Sequence, residues 1–217
     1  MKVLSINVGL PREIRWRGKS VLTSIFKAPV PGPVRVTRLN VDGDQQSDLS
    51  VHGGAEKAVY AYPAEHYRAW REELPGVALS WGAFGENFTT EGLLEETIHI
   101  GDALRIGSAE FVVTQPRMPC FKLGIRFDRE DMVKRFLRSG RTGFYLSVSR
   151  EGEVATGDPV TVATLDPHAL SVADVVGLYT TDASNQDLLR RASELPALPD
   201  GWRDYFRKRL WAPDERR

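Results

Sequence analysis

The chain has little of several features that would assign it to a class quickly. It contains one cysteine, Cys120, so an internal disulfide is excluded and a reducing compartment is expected. Its 29 basic and 29 acidic residues cancel, whereas proteins that bind nucleic acid usually carry a basic surplus. No apolar run approaches the length of a membrane span, and the opening MKVLSINVG lacks a signal-peptide pattern. We therefore expect a cytoplasmic protein that neither enters a membrane nor binds nucleic acid stably.

The common catalytic motifs are also absent. The sequence has no Walker A pattern, no G-x-G-x-x-G, no H-E-x-x-H, no cysteine pair for zinc and no G-x-S-x-G. No motif therefore supports an assignment as a nucleotide-binding protein, a metalloprotease or a serine hydrolase. No iron–sulfur cysteine cluster or flavin fingerprint is present either.

What is present, up to about Leu165, is a pattern of short strands. VRVTRLNVDG, TIHIGDALRIGSAEFVVTQP and TGFYLSVSREGEV alternate apolar and polar residues between glycine, proline and aspartate, which is typical of strands joined by hairpins. Two helices are predicted among them, within YPAEHYRAWREEL and REDMVKRFLRSG. Many strands with few helices predict a mainly β fold, either a barrel or a sandwich.

The pattern changes after TLDPHALS. SVADVVGLY, NQDLLRRASEL and DGWRDYFRKRLW each have a cap candidate and helical apolar spacing, so three short helices are predicted. We place a boundary near Asp166, which gives a β domain over residues 1–165 and a three-helix domain over 166–217. Aromatic residues of the last helix would be partly exposed and suit a docking surface or a homodimer contact; they are Trp202, Tyr205, Phe206 and Trp211.

The segment QPRMPCFKLG holds the single cysteine in an unusually stiff and basic setting. Pro116 and Pro119 restrict the backbone before Cys120, and Arg117 and Lys122 favour the thiolate form. A thiolate is a soft ligand that suits a transition metal. Free cysteines are also among the most buried residues, so a role in packing stays open.

Three glycine-rich segments carry further candidates. In SDLSVHGGAEKAVYAYP, Gly53 and Gly54 allow backbone amides to approach an anion, His52 can exchange a proton and Lys57 can neutralise a phosphate. A tight turn before a strand explains the same residues without a ligand.

The other two segments are WGAFGENFTTEGL and SGRTGFYLSV. In the first, Glu86 and Asn87 lie between aromatic residues and need polar partners, either in a ligand or within a structured loop. In the second, Arg141 lies between Gly140 and Gly143 and can clamp a phosphate, although such an arginine is often only solvated.

Taken together, these segments resemble the MOSC family, and within it the YiiM-type proteins of bacteria. The resemblance rests on HGGAEKAVYAYP, GAFGENFTTEGL, IGDALRIGSAEFVVTQPRMPC and SGRTGFYLSVSREGEV in that order, with the opening strand and the C-terminal helices in addition. It implies a MOSC-type β-barrel followed by a small helical domain. It also implies a molybdenum cofactor, in which a phosphate-bearing pterin holds the metal through a dithiolene; pyridoxal phosphate is not expected.

The resemblance also assigns residues. The cysteine after P-R-M-P is the protein ligand to molybdenum in this family, and that position is Cys120 here. His52 and Asn87 are placed on the substrate side. The expected cofactor contacts are Gly53, Gly54, Lys57, Arg117, Met118, Pro119, Arg141 and Gly143.

The implied activity is reduction of N-hydroxylated compounds, such as N-hydroxylated base analogues, to amines. Because the chain has no electron-carrying motif of its own, electrons would come from a separate flavoprotein or ferredoxin-type donor. Two alternatives remain open from the sequence. Cys120 could carry a persulfide as a sulfur carrier, or the barrel could bind the cofactor for delivery without catalysis.

Overall fold

The computed structural model describes residues 1–47 and 53–211, and within them the chain forms twelve strands and six α-helices. The strands are β1 (Lys2–Val8), β2 (Arg12–Trp16), β3 (Lys19–Thr23), β4 (Ala28–Pro29), β5 (Val34–Val36), β6 (Val59–Pro63), β7 (Phe88–Glu91), β8 (Ala103–Ile106), β9 (Ala109–Pro116), β10 (Phe144–Arg150), β11 (Gly152–Val154) and β12 (Val160–Thr164). The helices are α1 (Glu65–Glu73), α2 (Phe121–Phe127), α3 (Met132–Ser139), α4 (Val172–Thr180), α5 (Gln186–Glu194) and α6 (Asp200–Trp211). A short 3-10 helix, Ala55–Lys57, precedes β6.

The predicted barrel is confirmed. Eight strands form one mixed sheet in the order β12-β8-β9-β10-β6-β7-β1-β4, in which β6 and β7 are the parallel pair. β1, next to last in this order, meets the chain that leads into β12, because Val3 N–H donates to the carbonyl of Asp158 at 3.0 Å and Lys2 bridges Pro159. Closure of this kind removes exposed strand edges. β2 and β3 form a separate hairpin, and β5 pairs with β11.

The strand and helix bounds follow the sequence patterns, with two differences. β9 buries alternate residues along most of its length, as expected for a barrel strand. TIHI, predicted to be strand, forms only a single bridge from His99 to Ser171. VRVTRLNVDG contributes only the three residues of β5, because the chain turns back on itself at residues 37–44, where Asp44 N–H donates to Val41.

Two helices pack an aromatic cluster against one side of the barrel. Trp70 of α1 and Phe136 of α3 stack at 6.0 Å between ring centroids, and Trp70 donates to the hydroxyl of Tyr62 at 2.6 Å. Gly140 ends α3 with a φ of 68°, which confirms the predicted C-terminal cap. The cluster supports the loop that leads into β10.

The three predicted C-terminal helices are confirmed. Ser171 and Asp174 form the capping box of α4. The helices share the hydrophobic core of the barrel, and Trp202 Nε1 donates to Gln115 Oε1 of β9 at 2.9 Å. Phe206, expected to be partly exposed, is fully buried in that core, whereas Trp211 is 81% exposed. The limits 1–165 and 166–217 stay a prediction.

Among the described residues, no helix combines the length and the apolar character that crossing a membrane requires.

Candidate functional site

A pocket beside the barrel gathers six of the residues that the sequence singled out. They are Gly53, Lys57, Asn87, Arg117, Cys120 and Lys122. The remaining wall is formed by the chain between β3 and β4, by residues 44–47, and by side chains of β6, α2 and β10. The described walls enclose about 110 Å³, and Ser47 and Gly53 on the rim border residues 48–52, which lie outside the described chain. The prediction for His52 falls in that segment.

Cys120 lies in the wall because β9 ends four residues before it. The chain after Pro116 is extended, and Cys120 itself has φ −118° and ψ 175° immediately before α2. Arg117 N–H donates to the carbonyl of Gly143 at 3.2 Å, and the Cys120 carbonyl accepts from Leu123 N–H at 2.9 Å. These bonds fix both ends of the segment, so the partly exposed thiol is held at the pocket surface.

Arg117 is the most deeply buried cation of the pocket, with 6% of its surface exposed. Its guanidinium lies 5.0 Å from the Phe136 ring centroid and 5.5 Å from that of Tyr60. Burial acts to lower its pKa, but the neighbouring Tyr60, Tyr145 and Cys120 act in the other direction, so the net pKa is raised. Its Nη1 atom is buried and has no hydrogen-bond partner in the described part of the chain. A buried, charged donor without a partner is costly, and an anionic ligand would satisfy it.

A buried ion pair forms the opposite wall. Lys27 pairs with Asp44, whose carboxylate also accepts from Gly9 N–H at 2.8 Å and from Asn87 Nδ2 at 2.9 Å. Burial lowers the pKa of Lys27, and the attraction of Asp44 offsets part of that effect. Lys27 is thus neutralised within the wall. The described lining contains three further cations, Lys57, Arg117 and Lys122.

Lys122 contributes from the first turn of α2, two residues after Cys120. It is 8% exposed, and its ammonium donates to Ser47 Oγ at 3.0 Å. An ammonium has three donors, so this bond leaves capacity for a ligand.

Asn87 lies in the pocket wall, but the chain itself uses both ends of its amide. Its Oδ1 accepts from Tyr60 N–H at 3.1 Å, and its Nδ2 donates to Asp44 and, at 3.3 Å, to the Asn7 carbonyl. The residue is 4% exposed. These contacts join β1, β6 and the Asp44 turn, which is a structural role; the substrate-side role of Asn87 stays a prediction.

Glu86, the neighbour of Asn87, organises the glycine-rich loop. Its Oε1 accepts from Tyr67 Oη at 2.5 Å, Gly82 N–H at 2.8 Å and Thr89 Oγ1 at 2.9 Å, and its Oε2 accepts from Phe84 N–H at 3.0 Å. Burial raises the pKa of Glu86, although these hydrogen bonds act to lower it. The hydrogen-bond partners expected for Glu86 therefore lie in the loop itself, in α1 and in β7.

The structure places the other predicted contacts outside the pocket lining. Arg141 pairs with Glu73, and its guanidinium lies 4.3 Å from the Trp70 ring centroid. Gly143 N–H donates to Glu95 Oε1 at 2.6 Å, inside the barrel wall. Gly54, with φ 87°, precedes the 3-10 helix.

Met118 and Pro119 are both partly exposed and lie between Arg117 and Cys120. Met118 lines a neighbouring cleft that also contains Trp202. Neither residue is among those that line the Cys120 pocket.

Among the pocket residues that sequence reasoning missed are Lys27, Asp44 and Tyr145. Burial raises the pKa of Tyr145, which therefore keeps its phenol proton beside Arg117. The one available signal was Lys27, a lone charge in the apolar stretch SIFKAPVPGP. Asp44 is separated from Lys27 along the chain, so only the fold reveals the pair.

Comparison with known proteins agrees with this architecture. The profile of the MOSC domain family matches residues 48–161, and that of the YiiM-like 3-alpha helix domain matches residues 170–211. The chain is 41% identical over 207 residues to the uncharacterized protein YflK of Bacillus subtilis (strain 168), covering 95% of this chain and 93% of that one. It is 39% identical over 140 residues to protein YiiM of Escherichia coli (strain K12), covering 64% and 62%.

A protein of Gibberella moniliformis named reductase is 33% identical over 196 residues, which cover 89% of this chain and 35% of that protein. The crystal structure of YiiM from Geobacillus stearothermophilus superimposes with a TM-score of 0.81 at 35% identity, covering 96% of this chain and 98% of that chain. The chain therefore belongs to the MOSC family and carries the helical domain of its YiiM-like members.

Proposed function

We propose that this chain is a molybdenum-cofactor-dependent reductase that converts N-hydroxylated compounds, such as N-hydroxylated base analogues, to amines. The main observation in support is that the thiol of Cys120 shares its pocket with a set of buried and half-buried cations. Membership of the MOSC family and the relative named reductase support the general class.

The charge of the pocket fits an anionic cofactor. Beyond the Lys27–Asp44 pair, the described lining supplies Lys57, Arg117 and Lys122 and no further carboxylate. Phosphate is held well by such cations. The unpartnered Nη1 of Arg117 gives the clearest single fit, because an oxygen acceptor there would complete its hydrogen bonding.

A single protein thiolate fits a metal whose other ligands belong to the cofactor. In residues 1–47 and 53–211 there is no cluster of three or more His, Cys, Asp and Glu side chains able to hold a metal ion. Cys120 would thus be the protein's single thiolate ligand, and a dithiolene-bearing pterin would supply the rest. When bound, the cofactor supplies the two-electron redox chemistry of the reaction.

The residues of the chain have complementary tasks. Arg117 and Lys57 would hold the anionic part of the cofactor, and Cys120 would hold the metal. Tyr145, whose pKa burial raises further above neutrality, offers a neutral O–H donor next to Arg117. The reaction takes an N-hydroxyl compound, two electrons and two protons to an amine and water. The electrons come from a separate flavoprotein or ferredoxin-type donor.

The test is to measure molybdenum and released pterin in the protein purified from a host that makes the cofactor. The parent is expected to hold close to one molybdenum per chain. Cys120→Ala and Cys120→Ser are each expected to hold at least roughly tenfold less molybdenum. Turnover of an N-hydroxylated base with a flavoprotein donor should fall with metal content. Circular dichroism of each variant checks that loss of metal is not loss of fold.

Two outcomes would contradict the proposal. Labile sulfur on Cys120 in a protein without metal would favour the persulfide carrier. Stoichiometric cofactor without turnover of any N-hydroxylated substrate would favour a delivery module.

A further inference from the structure

A second cleft lies where β9 meets the C-terminal helices, beside the Cys120 pocket. We call it the junction cleft and define it by Gln115, Met118, Tyr179, Trp202 and Tyr205. The rest of its lining is Glu56, Lys57, Pro199 and Gly201. It has a volume of about 440 Å³, within the range of roughly 300–1,000 Å³ usual for small-molecule sites. Lys57 lines both cavities. The other residues of the junction cleft have no part in the proposed reductase chemistry.

Three aromatic rings form one wall of the junction cleft. Tyr179 lies 5.5 Å from Tyr205 and 5.9 Å from Trp202 between ring centroids. Tyr179 is 41% exposed, although large aromatic side chains are more often covered. A set of adjoining rings that is open on one side offers faces on which a planar ring can stack.

Gln115 adds a polar group with a defined orientation. An indole N–H can only donate, so the atom of Gln115 that faces Trp202 must be the oxygen, and the contact is 2.9 Å long. The amide nitrogen, Nε2, is then fixed as the branch of the amide that does not contact Trp202. It is buried, the residue is 4% exposed, and the nitrogen has no partner among the residues that the structure describes.

An unsatisfied amide donor in an aromatic cleft specifies the chemistry of a ligand. The ligand needs a flat ring for the rings of Tyr179, Trp202 and Tyr205, and an acceptor in the plane of that ring for Gln115. A buried carbonyl or ring nitrogen would satisfy the donor, whereas a purely hydrocarbon ring would leave it unpaired.

We propose that the junction cleft is a second ligand site, which binds planar nitrogen heteroaromatic compounds by stacking on the aromatic wall and by accepting a hydrogen bond from Gln115 Nε2. The proposal does not rest on the reductase reaction, because binding there needs no metal.

The test uses matched probes on the full chain purified without cofactor. 7-Azaindole and indole have the same shape, but only 7-azaindole carries a ring-nitrogen acceptor. We expect 7-azaindole to shift the indole N–H signal of Trp202 in a ¹H–¹⁵N spectrum and to bind roughly fivefold more tightly than indole, the size of one ordinary hydrogen bond. Trp202→Phe identifies the signal. Cyclohexanol should bind more weakly than either.

Gln115→Glu separates the two roles of the amide, since a carboxylate still accepts from Trp202 but cannot donate to a ligand. In this variant the preference for 7-azaindole over indole should disappear. Gln186→Glu makes the same change at an exposed position in α5 and should leave the preference intact. If Gln115→Glu does not fold, Tyr179→Ala provides the second test, with an expected loss of roughly tenfold for both probes.

Equal binding of 7-azaindole and indole by the parent would overturn the proposal. So would the absence of a Trp202 shift at millimolar probe. A dimer in sedimentation velocity together with that absence would assign the cleft to a second copy of the chain.

Discussion

The segment before α2 and the loop before β10 carry the two arginines that the sequence proposed as phosphate contacts, and the fold gives them different tasks. The two regions touch, because Arg117 N–H donates to the Gly143 carbonyl. Arg117 turns into the Cys120 pocket. Arg141 turns away, toward Glu73 and the face of Trp70. An arginine between glycines can thus serve the packing of the fold instead of binding a ligand.

This comparison separates residues that face the pocket from residues that hold its wall. Substitution of a wall residue should lower the stability of the protein. Substitution of a facing residue should lower cofactor content at nearly unchanged stability.

The largest expected effect is at Gly143, a wall residue. A Cβ there would meet the Ala61 carbonyl oxygen and the rings of Tyr60 and Tyr62, at a φ of 61°. We expect Gly143→Ala to lower the free energy of unfolding by about 4 kcal/mol, through backbone strain and overpacking combined. Urea unfolding followed by circular dichroism measures the change.

Gly140→Ala is the matched control. Its φ is 68° but a Cβ meets nothing within 4 Å, so only the conformational cost of about 1 kcal/mol should appear. Equal losses in the two variants would show that contact with β6 is not what selects glycine at position 143.

Asn87 should give the next largest effect. Asn87→Ala leaves the Tyr60 N–H, the Asn7 carbonyl and part of Asp44 without their partner in a buried wall, which should cost about 3 kcal/mol in the same unfolding assay. Asn185→Ala, which removes the N-cap bond to Leu188 and an exposed hydrogen bond to Asp182, should cost about 1 kcal/mol. A stable Asn87→Ala protein with full cofactor but no turnover would instead support the substrate-side role.

The smallest effect on stability, and the sharpest on binding, is expected for the two arginines. Arg117→Met keeps much of the contact with Phe136 and Tyr60 but removes the unpartnered donor, so cofactor content under limiting supply should fall roughly tenfold, the size of a charge-assisted hydrogen bond. Arg141→Met should retain the parent's content. The measurement is molybdenum and pterin per chain. A comparable loss in both variants would remove the distinction between the two loops.

Much of the fold could be predicted because its signals are local. The capping box at Ser171, the glycine that ends α3 and the alternation in β9 each depend on residues within a few positions of one another. TIHI has the same alternation and is not a strand, because it pairs through one bridge, from His99 to Ser171, rather than along another strand. Strand pairing is decided by tertiary contacts that a short window does not contain.

The candidate site could be predicted only in part, for the same reason. Cys120, Arg117 and Lys57 lie in conspicuous segments and meet in one pocket. The Lys27–Asp44 pair joins two inconspicuous segments, and nothing in either one indicates the other. Met118 shows a further limit, because it lines the junction cleft although Arg117 and Cys120, before and after it in the segment, line the Cys120 pocket.

The closure of the barrel sets an order of events for the growing chain. Val3 N–H is paired with Asp158, and Met1 with Val160, so the first strand completes its hydrogen bonding only after nearly three-quarters of the protein exists. At roughly 5–20 residues per second, β1 is synthesised about 10–30 seconds before that partner. Pairings so distant in sequence slow folding. The sheet therefore stays incomplete during synthesis. Its first strand, β1, is then a site to which chaperones can bind.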